Sequence, residues 1–67
     1  MGEKQQRLTA KEAEKILLNN GFLLDRQKGS HRIYIKNVHR IVIPHHSGKT
    51  LHPKIIKELL KIIEEAK

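Results

Sequence analysis

Five histidines, at positions 31, 39, 45, 46 and 52, are the side chains of this 67-residue sequence best suited to acid–base work near neutral pH. The chain holds no cysteine, which excludes thiol nucleophiles, disulfides and thiolate metal sites. Between Asp25 and Glu58 there is no acidic residue, so neither a Ser-His-Asp set nor a pair of carboxylates is legible around the histidines. Gly29-Ser30-His31 is not a phosphate-binding glycine loop either, because no G-x-x-x-x-G-K pattern exists. His31 stands directly after a Gly-Ser turn, at the rim of the face that also carries Ile33. A histidine there, surrounded by Lys and Arg that hold phosphates, can take a proton from a ribose 2′-hydroxyl or give one to a leaving oxygen. That would cut RNA without a metal. A histidine that only caps or braces the turn is the commoner occupant of such a position, and both readings stand at this point.

Metal ligation is the rival use of His39, His45, His46 and His52. Zinc needs ligands that converge from fixed offsets, usually with Cys or a carboxylate among them. Neighbouring His45 and His46 on extended backbone are expected to point apart, with no acid nearby to orient either. No metal and no cofactor is expected, and the cluster is taken as surface histidines on a nucleic-acid-binding loop. His46, just past Pro44, is expected to approach the start of the second helix.

Charge points to the same class of partner. Lys and Arg number 14 against 7 Asp and Glu, a formal net charge of +7. The acid-free middle carries Arg26, Lys28, Arg32, Lys36, Arg40, Lys49, Lys54 and Lys57, which implies a polyanionic partner. Only Phe22 and Tyr34 are aromatic, so a base-stacking platform is not expected, and contacts to phosphate and sugar are expected instead.

The elements that must position these groups follow from periodicity and punctuation. Thr9 and Glu12 form a capping box, Ala13, Ile16 and Leu17 follow at helical spacing, and Asn19-Asn20-Gly21 supplies the stop, giving a helix over about 9–20. A strand is predicted from Phe22 to Gln27, with Phe22 and Leu24 on one face, then a turn at Lys28-Gly29-Ser30. The strand 31–36 alternates, and His31, Ile33 and Ile35 are expected inward with Arg32, Tyr34 and Lys36 as a basic outer face. A turn at Lys36-Asn37-Val38 leads to a strand from Arg40 to Ile43, ended by Pro44. After a loop over 45–52 holding Ser47 and Gly48, Pro53 suits the first position of a second helix rich in Ile and Leu. Lys54 and Lys57 open that helix and Glu64 and Glu65 close it, against the helix dipole, which suggests a start built to receive a phosphate or a partner's carboxylates.

The expected fold class is therefore α+β: a three-stranded antiparallel sheet in the order α-β-β-β-α, with both helices on one face. One domain over 1–67 is expected, frayed over 1–7, since a chain this short builds a single small core. Apolar runs reach only three residues, so no membrane span or secretory segment is expected and the cytoplasm is the default location.

Gly21-Phe22, Gly29-Ser30-His31-Arg32-Ile33-Tyr34, Val42-Ile43-Pro44-His45-His46-Ser47-Gly48 and the final Leu- and Ile-rich helix, in this order and spacing, resemble the HicA (YcfA-like) toxins. The resemblance runs from Thr9 to Ile63. It implies a double-stranded-RNA-binding-domain-like fold and an mRNA interferase that arrests growth until a HicB-type antitoxin neutralises it. It assigns catalysis to His31, with Gly29 and Ser30 as support, and places the family's second recurring histidine at His46. The chain departs from the family at the entry to the last helix, where Pro53-Lys54-Ile55 replaces a Gly-Thr pair.

Two functions from different classes follow. The first is a metal-independent endoribonuclease acting on mRNA, with RNA held by Lys28, Arg32, Lys49, Lys54 and Lys57. The second is a non-catalytic binder of double-stranded or structured RNA using the lysines around the last helix start. A DNA-binding accessory role ranks last, because neither helix has a polar, base-reading surface.

Overall fold

The computed structural model describes residues 7–46 and 49–67. The expected fraying of the N-terminal residues falls mostly outside this range, as do Ser47 and Gly48 of the expected loop. The element order is α1 (Ala10–Asn19), β1 (Leu23–Lys28), β2 (His31–Lys36), β3 (His39–Pro44) and α2 (Pro53–Glu65). The strands form one antiparallel sheet in the order β1-β2-β3.

Helix α1 forms because both its ends are satisfied locally. Glu12 N–H donates to Thr9 Oγ1 at 3.2 Å and Thr9 N–H donates to Glu12 Oε1 at 2.9 Å, completing the capping box. At the other end Gly21 takes φ +89, the left-handed conformation that an L side chain resists, and the chain turns into β1. Lys36 Nζ then donates to the Asn20 carbonyl at 2.8 Å, placing a cation at the helix C-terminus. Helix α2 begins with Pro53 at its first turn and is capped by His52, whose Nδ1 accepts from Lys54 N–H at 3.0 Å.

Both hairpins turn on two residues. Gly29 at φ +58 and Asn37 at φ +55 supply the positive φ that such tight connections require. The register pairs His31 with Pro44, Ile33 with Val42 and Tyr34 with Ile41. The third strand thus runs further than expected, from His39 through Pro44, which is tolerated because β3 is an edge strand. On the other side β1 starts at Leu23, and a bulge at Asp25 shifts its pairing so that Arg26 meets Ile33 and Lys28 meets His31.

Both helices cover one face of the sheet, and the core between them holds Ala13, Leu17, Phe22, Tyr34, Ile43 and Leu59, all fully buried. Leu51 N–H donates to the Leu8 carbonyl at 2.7 Å and Thr50 bridges to Thr9, so the segment before α2 is tied to the entry of α1.

The orientation of β2 is the reverse of the expected one. Tyr34 is fully buried beneath the helices, and Arg32 and Lys36 lie on that same inner face, while His31, Ile33 and Ile35 lie on the opposite, open face, where Ile33 alone is buried, by its neighbours in the sheet. Alternation defines two faces but not which one is covered. The largest side chain, Tyr34, gains most from burial, and the two cations beside it keep partners at the rim, Glu14 for Arg32 and the α1 terminus for Lys36.

Candidate active site

The sheet brings the two histidine-bearing motifs together at one end. His31 pairs with Pro44 and, one step further, His45 N–H donates to the Ser30 carbonyl at 2.6 Å. Gly29 makes the turn, Ser30 is half-buried at its end, and His31 is exposed on the open face. Lys28 is its partner across the hairpin, and Arg26 and Arg40 share that face, giving it a cationic character. His31 also lines a groove of about 690 Å³ along the free edge of β3, where Pro44 and Arg40 meet Ile55, Glu58 and Lys61 of α2. Two acids that stand beyond the acid-free stretch in sequence, Glu58 and Glu65, are thereby brought to the groove.

On the covered face of the same sheet end lies a second polar cluster, which sequence reasoning missed. Tyr34 Oη donates to Glu14 Oε2 at 2.7 Å and lies 3.2 Å from His45 Nε2. Arg32 Nη1 donates to the same Glu14 oxygen at 3.1 Å, forming an ion pair. Arg32 Nε is buried with no partner among the described residues. Glu14, Arg32 and His45 border a hollow of about 510 Å³ together with Thr9, Ala10, Lys11 and His46, and Tyr34 lies buried behind them. His45 and His46 thus line one hollow rather than pointing apart, and His46 approaches the start of α1 rather than that of α2. The expectation that no acid stands near them is also overturned, since Glu14 reaches His45 through Tyr34.

The charges in this cluster are mutually adjusted. The hydrogen bond from Tyr34, aided by Arg32, holds the Glu14 carboxyl below its usual range even though burial opposes this. Burial, and then the bond to Glu14, push the Tyr34 phenol upward, so it keeps its proton. Burial and the nearby Arg32 guanidinium push His45 below the ordinary histidine value, with Glu14 opposing, so the ring favours its neutral form. One signal in the sequence could have found Glu14. It falls with Ala10, Ala13 and Leu17 on the inward stripe of α1, where an acid needs a partner.

The RNA-binding candidates separate. Lys28 lies beside His31 on the open face, whereas Arg32 is committed to Glu14 on the other. Lys49, Lys54 and Lys57 are exposed around the start of α2. Among the described residues no three His, Asp or Glu side chains converge to hold a metal ion.

Fold, length and paired motifs converge with the comparison to known families. The model of the HicA toxin of bacterial toxin-antitoxin systems matches residues 10–64. The chain belongs to the HicA toxin family. For this HicA-family chain, membership implies an antitoxin partner. No curated protein and no solved structure is similar enough to add to that assignment. Among the described residues, no helix is long and apolar enough to cross a membrane.

Proposed function

We propose that this HicA-family chain is a metal-independent endoribonuclease that cleaves mRNA through acid–base catalysis by His31 and is held inactive by a HicB-type antitoxin. The observation that carries this reading is the meeting of Gly29-Ser30-His31 with Pro44-His45-His46 at one end of the sheet. His31 is exposed there, beside Lys28 and at the mouth of a groove, where a phosphodiester can approach it. Proton transfer by a positioned histidine contributes roughly 10²–10⁴-fold to such a reaction, which needs no metal. Lys49, Lys54 and Lys57 supply a charged surface for the rest of the RNA strand. A partner that covers the His31 end of the sheet would block substrate and neutralise charge in one step.

The test is an RNA-cleavage time course in EDTA with the intact protein and with His31→Ala. Loss of cutting in the variant, with fold and RNA binding retained, is the expected result. Binding without cutting by either protein, and no growth arrest on expression, would leave a binder of structured RNA in its place.

A further inference from the structure

We propose that His45 is the general base of this ribonuclease, presenting its Nδ1 lone pair to the ribose 2′-hydroxyl, with Tyr34 and Glu14 as the positioning residues that set its tautomer. The role rests on the ribonuclease reading and supplies the second proton carrier that a single histidine lacks. The argument is a count of protons. Tyr34 Oη has one hydrogen, and at 2.7 Å from Glu14 Oε2 that hydrogen is given to the carboxylate. An ionised carboxylate has none to return, so the 3.2 Å contact between Tyr34 Oη and His45 Nε2 needs its hydrogen from the imidazole. A neutral imidazole carries a single N–H. With that hydrogen on Nε2, Nδ1 keeps a free lone pair.

The surroundings suit a phosphodiester. The groups that face His45 are Lys11 and Glu14 from α1, Arg32 and Tyr34 from β2, and its neighbour His46. Glu14 is balanced by Arg32, and Lys11 remains as a cation for the substrate. The His45 side chain lies on the covered face and His31 on the open face, with the Ser30–His45 backbone bond joining their strands, so the two rings flank one sheet end from opposite sides.

In the proposed step His45 Nδ1 takes the 2′-hydroxyl proton while the 2′ oxygen bonds to phosphorus. The bond from phosphorus to the 5′ oxygen breaks, and His31 gives that oxygen a proton. The products are a 2′,3′-cyclic phosphate and a 5′-hydroxyl. The imidazolium left on His45 keeps its Nε2–H bond to Tyr34, and the negative Glu14 behind Tyr34 stabilises it, as a buried acid does behind a catalytic histidine.

The experiment compares single-turnover RNA cleavage in EDTA across pH for the intact protein, His45→Gln and Tyr34→Phe, with binding followed on 2′-deoxy-substituted RNA that cannot be cut. Gln can still donate to Tyr34 but cannot carry a proton. His45→Gln is expected to slow cleavage at least about 100-fold and to abolish the acidic limb of the pH profile, with binding unchanged. Tyr34→Phe is expected to retain partial activity with a displaced acidic limb. On the unmodified protein, ¹⁵N spectra of the imidazoles are expected to show His45 protonated on Nε2 alone. That measurement does not depend on how any variant folds, and a proton on Nδ1 overturns the proposal. Cutting by His45→Gln at the normal rate removes the role of His45 and leaves the ribonuclease reading intact. An unmodified protein that cuts no RNA removes both.

Discussion

Glu14, Tyr34, Arg32 and His45 form a set in which each side chain sets the state of the next, so pH should act on the fold through them. In the unfolded chain His45 takes a proton near pH 6.5, at about the ordinary histidine value, whereas in the fold it does so only at lower pH. Between those values the unfolded state binds more protons, so stability falls as the pH drops through that window. Glu14 acts in the same direction further down. Its folded value lies below the ordinary carboxylate value of about 4.3, so the stability it contributes is present above that value and is lost as pH falls through the lower one. Thermal unfolding followed by circular dichroism should therefore show a melting temperature that declines in two stages on acidification. His45→Gln should remove the upper stage and Glu14→Gln should weaken the lower. A melting temperature flat from pH 7 to 5 in the intact protein would count against the neutral His45. Tyr34→Phe deletes a hydrogen bond to a charged acceptor and should cost about 1.5–3 kcal/mol in urea unfolding at neutral pH.

The helices depend on their ends and on one buried stripe each. Thr9→Ala breaks one half of the capping box and should cost about 1 kcal/mol, whereas Leu17→Ala empties a fully buried site and should cost about 2–5 kcal/mol. Urea unfolding of both variants ranks the two effects, and an equal loss would contradict the close packing around Leu17. At α2 the cap is His52, and Lys54 and Lys57 oppose the helix dipole. His52→Asp should stabilise the protein by about 0.5–1 kcal/mol, since Asp caps well and brings a negative charge to the helix start. Thermal unfolding reads this directly, and a lowered melting temperature would show that the histidine cap has a further partner. The strands have a different dependence. Lys36 closes α1 from β2, so its loss should loosen the α1–β1 corner although it stands in a strand.

For the molecule as a whole, the charge distribution governs association with polyanions. Arg32 is neutralised by Glu14 and Lys36 is spent on a helix end, so the acid-free stretch offers fewer free cations than it contains. Arg26 is paired with Asp25 at 3.3 Å, and the cations left lie in two regions, Lys28 and Arg40 on the open face and Lys49, Lys54 and Lys57 around the start of α2. Replacing Lys54 and Lys57 together should weaken RNA binding and lower the slope of log affinity against log salt by about 1.5, the release expected from two phosphate contacts. An unchanged slope in a filter-binding series would move the RNA path onto the open face.

Element order, both tight turns, the first helix with its capping box and the helix start at Pro53 were all legible in the residues, because caps, turns and periodicity depend on neighbours within a few positions. Membership of the HicA family was legible for a related reason, since its motifs are short and sit at turns whose geometry they dictate. The sense of β2 was not legible: alternation in His31–Lys36 marks two faces, and only the competition of Tyr34 with Ile33 and Ile35 for the space under the helices decides which is covered. The surroundings of His45 were equally out of reach, because Glu14 and Tyr34 stand 20 positions apart and meet only when α1 packs on the sheet. A sequence fixes which groups are available locally. Their protonation and orientation are set by burial and by partners from distant elements, which exist only once the chain has packed.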